Sequence, residues 1–159
     1  MNLLKLSYSI LFTLLLAIRL FGDSPVDRSV SLALVSDDFG LADGPSWQGW
    51  YLTVPDPKAQ VVKRFITKQN KWNVLAQEKR FSASFFNHGK SYFADHGEGA
   101  IRCLDQNNKW SLVYQEDLTK DKGRRPNDLV VDRNGGIFYT LTRPGEVVYL
   151  SSNGKAKTV

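Results

Sequence analysis

The densest chemistry in the chain lies in Arg124-Arg125-Pro126-Asn127-Asp128-Leu129-Val130-Val131-Asp132-Arg133-Asn134-Gly135-Gly136-Ile137-Phe138-Tyr139-Thr140. Arg125, Asn127 and Asp128 bring a guanidinium, an amide oxygen and a carboxylate close together. Such a set can hold a hard cation and an anionic or polar substrate. The same letters also describe a solvated turn whose Asn and Asp satisfy nearby backbone groups. The flanking residues say how the set is carried. Pro126 fixes φ where the chain enters a sheet. Leu129-Val130-Val131 is a short β-branched strand, and Asn134-Gly135-Gly136 supplies the positive φ of a tight hairpin. Ile137-Phe138-Tyr139 returns as the partner strand.

Stepping along the chain, the same kind of unit recurs. Asn70, Trp72 and Gln77 are followed at an offset of 38 by Asn108, Trp110 and Gln115. Gly145-Glu146-Val147-Val148-Tyr149-Leu150 echoes Gly99-Ala100-Ile101-Arg102-Cys103-Leu104 at an offset of 46. Short strands, hairpin turns and a period near 40 to 50 residues mark propeller blades. No stretch sustains a helical period. The sequence therefore predicts an all-β chain of three four-stranded blades, over about 37–78, 79–120 and 121–159. The polar stretches near 78–81 and 117–125 are the expected boundaries. Trp72 and Trp110, at one repeat position, read as packing residues.

The first 22 residues differ. Lys5 is followed by an apolar run from Leu6 to Ile18, then Arg19 and Leu20-Phe21-Gly22, the pattern of a secretory signal peptide. The run falls short of the roughly 20 residues a membrane span needs. An exported protein, periplasmic or extracellular, is the expectation, with a retained N-terminal anchor as the alternative. Residues 23–36 read as a polar lead and a strand, Ser29 to Val35, able to complete a last blade. Without residues 1–22 the chain has 19 basic and 16 acidic side chains. That mild surplus, with the signs interspersed, gives no nucleic-acid footprint. Cys103 is the one cysteine, set in an apolar run, and reads as a buried strand thiol. His88 reads as a turn residue.

"RPNDLVVDRNGGIFYT", taken with "LADGPSW" at 41–47, resembles the gluconolactonase and regucalcin-like family of calcium-dependent six-bladed β-propellers. The resemblance covers roughly 36–159. It implies a lactone hydrolase that uses Ca2+ or another divalent cation on a lactone or sugar-derived substrate. Asp43, in Asp43-Gly44-Pro45-Ser46-Trp47, stands where the family carries a metal-binding glutamate. The resemblance makes Asn127 a metal or substrate ligand and Arg125 a contact to substrate oxygens. It makes Asp128 a group that orients Asn127 or takes a proton. Asp95-His96-Gly97 resembles a tunnel-facing segment of the second blade, which makes His96 a candidate base.

Departures accompany the likeness. Leu141 stands where the family often has an acid, and the ligands of later blades lie beyond three blades. Asp43 and Asn127 are two oxygen donors where calcium prefers six to eight. A three-bladed fan also leaves sheet faces bare, so a fragment, a half that pairs with a second half-propeller, or a decayed gene product is expected. Two readings follow. One is part of a lactonase, with Asp128 or His96 taking the proton. The other is a non-catalytic module that binds carbohydrate or a protein partner.

Overall fold

The computed structural model describes Ser29, Ser31 and residues 33–159. It divides into two compact units, Met1–Asp37 and Asp38–Val159. The expected signal peptide lies outside the described residues, as does much of the lead. The described members of the Ser29–Val35 stretch carry no strand. Among the described residues, no helix is long and apolar enough to cross a membrane.

The second unit is all-β, with one 3-10 turn at Thr67–Gln69. The first sheet comprises β1 (Ser46–Trp47), β2 (Tyr51–Asp56), β3 (Val61–Ile66) and β4 (Lys71–Gln77). The second comprises β5 (Phe81–Asn87), β6 (Lys90–Asp95), β7 (Ala100–Leu104) and β8 (Trp110–Gln115). The third comprises β9 (Pro126–Val131), β10 (Ile137–Leu141), β11 (Glu146–Leu150) and β12 (Ala156–Thr158). Each sheet is an antiparallel meander in chain order. Strand β5 lies against β1 and β2 on one side and β9 on the other, so the first strands of the three sheets are neighbours. These are three blades of a propeller.

The repeat in the sequence has a conformational cause. Asn70 and Asn108 take left-handed backbone, φ 47° and 59°, in the turns before β4 and β8, and Gly154 does so before β12. Asparagine tolerates that region better than most side-chained residues. Two residues on, the tryptophans pack as the sequence suggested. Trp72 meets Phe39 and Phe65, each at 5.2 Å, and Trp110 meets Phe81 and Phe93 at 5.5 and 5.1 Å.

The middle sheet is covered on both faces. Val62, Phe81, Phe93 and Leu104 form the seam with the first sheet. Ala83, Ala94 and Ile101 meet Leu129, Ile137, Tyr139, Leu141 and Val148 in the seam with the third. Each large apolar side chain so buried contributes about 1.5–3 kcal/mol. Burial accordingly runs unbroken from Phe81 to Ser84 but alternates along β10, where one face of the third sheet is open. Cys103 is a buried thiol on β7, pushed above its ordinary pKa by that burial.

Candidate functional site at the strand-entry end

Meander topology places the entry of each first strand beside the turn between the second and third strands of its sheet. Asp43, His96, Arg125 and Asn127 all belong to this end. Asp43 precedes β1, and its N–H donates to the Pro55 carbonyl at 3.0 Å near the end of β2. His96 lies in the β6–β7 turn, and Arg125 and Asn127 flank Pro126 at the entry of β9.

Two of these residues clasp the second blade to the third. The Arg125 Nη1 donates to the His96 carbonyl at 2.9 Å and also to the Gly97 carbonyl, while Nε donates to the Lys122 carbonyl at 3.2 Å. In return, the His96 ring Nδ1 faces the Pro126 carbonyl at 3.3 Å. A carbonyl only accepts, so Nδ1 carries the proton and Nε2 of the neutral ring is left with its lone pair. His96, Lys122, Gly123, Arg125, Thr142 and Arg143 line a cavity of about 590 Å³ here. Its charged groups are cationic, which suits an oxygen-rich or anionic ligand.

Asp43 and Asn127 approach the middle blade from opposite sides. Gly44, at φ +36°, packs so tightly on β5 that a methyl there would overlap the Ala83 backbone. Its carbonyl accepts the Ser84 N–H at 2.8 Å and the Ser84 hydroxyl at 3.1 Å. The Asn127 carbonyl accepts the Ser82 hydroxyl at 2.6 Å. Ser82 and Ser84 thus tie the blade entries together, a role that sequence reasoning missed. The Asp43 Oδ1 accepts the adjacent Gly44 N–H at 3.0 Å, and among the described residues neither Asp43 Oδ2 nor the half-buried Asn127 amide has a hydrogen-bond partner.

Those two oxygens suit a hard divalent cation but are a minority of the six to eight that calcium takes. No three His, Cys, Asp or Glu side chains gather to hold a metal among the described residues. Asp43 Oδ2 and the Asn127 amide oxygen are donors of the kind such an ion takes.

Asp128 goes elsewhere. Successive strand residues face opposite ways. Asp128 is exposed and lines a separate cavity of about 230 Å³ with Val130, Phe138 and Val147 on the open face of the third sheet. Its Oδ1 accepts the Leu129 N–H at 2.8 Å. It is not brought beside His96 or Arg125.

Other carboxylates at this end are structural. Asp56, wholly buried at the end of β2, accepts the N–H groups of Gly40, Leu41 and Ala59 at 2.7, 3.0 and 2.9 Å. Burial pushes its pKa up, but those donors and Lys63 outweigh burial and hold it below the usual value. Asp95, at the end of β6, pairs with Arg102 at 2.6 Å and accepts the Glu98 N–H at 3.1 Å, bracing the turn that carries His96. Leu141 occupies the matching end of β10 and is wholly buried. The acid absent there from the third blade therefore corresponds to turn braces in the other two.

The third blade is held instead by a network the sequence did not advertise. Glu116 is only 5% exposed. Its carboxylate accepts the Tyr139 hydroxyl at 2.6 Å and Arg124 Nε at 2.8 Å, and Arg124 Nη1 reaches Glu146 at 2.8 Å. Hydrogen bonds to Glu116 and Glu146 push the Arg124 pKa up. Burial, then the bond to Glu116, pushes Tyr139 up.

No protein-family model matches the sequence, and no match was found among curated proteins. Solved structures do match. A gluconolactonase from Xanthomonas campestris is 20% identical with a TM-score of 0.65, over 79% of this chain and 48% of that one. Virginiamycin B lyase from Staphylococcus aureus is 14% identical with a TM-score of 0.60, over 80% and 43%. A nidogen/laminin complex gives 14% identity and a TM-score of 0.63, over 77% and 49%. The chain has the fold of part of a gluconolactonase-like β-propeller and spans about half or less of the length of these neighbours.

Proposed function

We propose that Asp38–Val159 supplies part of a lactone-hydrolase centre of the gluconolactonase kind, operating with a divalent cation, calcium being the expected one. The observation that carries this reading is the meeting of His96 and Arg125 at the entry of β9. The position of Asp43 and Asn127 at the same end of the sheets adds to it.

In this reading, Asp43 Oδ2 and the Asn127 amide oxygen are the chain's ligands to the cation. When bound, the cation would polarise the lactone carbonyl and acidify water. His96 is the better-placed base, because the Pro126 carbonyl fixes its tautomer and leaves Nε2 to take a proton from the attacking water. Asp128, on the open face, is not well placed for that step. The water oxygen bonds to the carbonyl carbon, the ring C–O bond breaks as His96 returns its proton to the departing ring oxygen, and the new carboxylic acid loses its remaining proton to solvent. Lys122 and Arg143, in the cavity beside His96, would draw that anion. Among the described residues Arg125 Nη2 makes no hydrogen bond, and it is the part of the guanidinium left for substrate oxygens. Export directed by residues 1–22 belongs to the same proposal.

The test is proton release from a sugar δ-lactone by the 159-residue chain, with calcium added or chelated. Calcium-dependent turnover that falls with Asn127→Ala and with His96→Gln is the expected result. Asn108→Ala, in the β7–β8 turn, should leave it intact. A second reading, a non-catalytic binding module, draws on the engagement of Arg125 with backbone carbonyls and on the two-donor cation site. A folded chain without turnover at saturating calcium would favour it.

A further inference from the structure

A second cavity, of about 360 Å³, lies between the first and second sheets at the end opposite His96. Gln48, Tyr51, Arg64, Ser91, Gln106 and Asn108 are among its lining. These come from β2, β3 and β6 and from the β1–β2 and β7–β8 turns. The volume is within the range of small-molecule sites.

Arg64 is the unusual group in it. The side chain is half-buried, and burial pushes its pKa down. A cation so placed ordinarily has a carboxylate partner. Arg64 forms no ion pair among the described residues. Its Nε makes one long contact, 3.4 Å, to the Thr53 hydroxyl, and the guanidinium lies 5.4 Å from the centre of the Tyr51 ring. Among the described residues neither terminal nitrogen has a hydrogen-bond acceptor.

The neighbouring groups fix their orientation without using Arg64. Gln48 Nε2 donates to Thr53 Oγ1 at 3.1 Å and to Ser91 Oγ at 2.9 Å, which leaves its Oε1 as an acceptor. Asp105, also in the lining, turns Oδ1 to the Asn107 and Lys109 N–H groups, each at 2.9 Å. The Gln106 and Asn108 amides add donors and acceptors at the rim.

We propose that this cavity binds a small acidic sugar, its carboxylate on the two terminal nitrogens of Arg64. A planar two-nitrogen fork matches a carboxylate. The amides of Gln106 and Asn108 and the Gln48 oxygen match hydroxyls, and the Tyr51 ring under the guanidinium holds the fork in place. This site is separate from the cationic cavity at His96 and does not depend on lactone hydrolysis.

The experiment is a titration of the full chain, followed by NMR at the Arg64 Nε–H and at the amides of residues 105–108, with D-glucuronate, D-glucose and inorganic phosphate as probes. Glucuronate should shift these signals, with glucose and phosphate each at least about tenfold weaker. Arg64→Gln should weaken glucuronate by at least about tenfold. Arg64→Lys, which keeps the charge and loses the fork, should fall between, and both variants should retain dispersed amide spectra. Lys157→Gln, on β12 of the third sheet, should leave glucuronate binding unchanged. Absence of glucuronate shifts at these residues would overturn the proposal. So would phosphate binding as tightly as glucuronate, or glucuronate binding indifferent to Arg64.

Discussion

Arg125 and His96 hold each other by main-chain acceptors: the guanidinium takes the His96 and Gly97 carbonyls, and the imidazole faces the carbonyl of Pro126, the residue after Arg125. The second and third blades are therefore clasped at the point where the proposed base stands. Arg125→Ala should lower stability by about 1.5–3 kcal/mol, the range for hydrogen bonds to a charged group. It should also speed hydrogen exchange at Gly97, whose N–H donates to the Arg80 carbonyl at 3.2 Å within this turn. A variant as stable as the parent in urea would mean that the clasp is not formed.

Gly44 is the corresponding contact between the first and second blades. Gly44→Ala adds a methyl against Ala83 at a positive φ and should cost about 2–3 kcal/mol. Gly154→Ala, also at positive φ but facing open space, should cost only about 1 kcal/mol. Urea unfolding of the two variants side by side measures the difference, and equal losses would contradict the close packing at Gly44.

The Glu116 network should appear at both ends of the pH scale. The Tyr139 pKa is raised in the fold, so its contribution is complete below the ordinary tyrosine value of about 10 and is lost as pH climbs beyond it. The Glu146 value is lowered, mainly by hydrogen bonds from Arg124 and Thr158, and outside the network the Asp56 value in the first blade is lowered too. Their contributions are complete above the ordinary carboxylate range and are lost as pH falls through the depressed values. Tyr139→Phe should flatten the alkaline limb of stability against pH. Arg124→Met leaves Glu116 buried and less compensated, and should cost about 3 kcal/mol at neutral pH.

Cys103 should react slowly with a thiol reagent in the native chain and rapidly in denaturant, because burial both hides the sulfur and raises its pKa. A fast native reaction would place β7 at the surface.

Blade architecture was legible because it rests on local rules. Asn70, Asn108 and the Asn134-Gly135-Gly136 hairpin mark turns whose backbone few other residues tolerate, and strands between such marks could only pair with their neighbours. The site was legible in part. His96, Arg125 and Asn127 could be nominated by type, but the Arg125 to His96 contact spans 29 positions and two sheets, and no local pattern announces it. Glu116 begins a polar stretch that reads as a solvated connection, and only the tertiary placement of Tyr139 and Arg124 over it reveals a buried acid. The family resemblance set Asp128 to orient Asn127, whereas strand parity sends neighbours to opposite faces.

The sandwiching of the middle sheet bears on how the fold assembles. Every strand pair joins consecutive strands, so each blade can form from contacts close in sequence, a pattern associated with rapid folding. The seams between blades join residues farther apart, Val62 with Phe81 and Phe93, Ala83 with Leu129. The first and third blades can each loosen by giving up one seam, but the middle blade must give up two. Amide protection should therefore be longest along β5 to β7, making that blade the last part of the unit to open and the platform on which its neighbours settle.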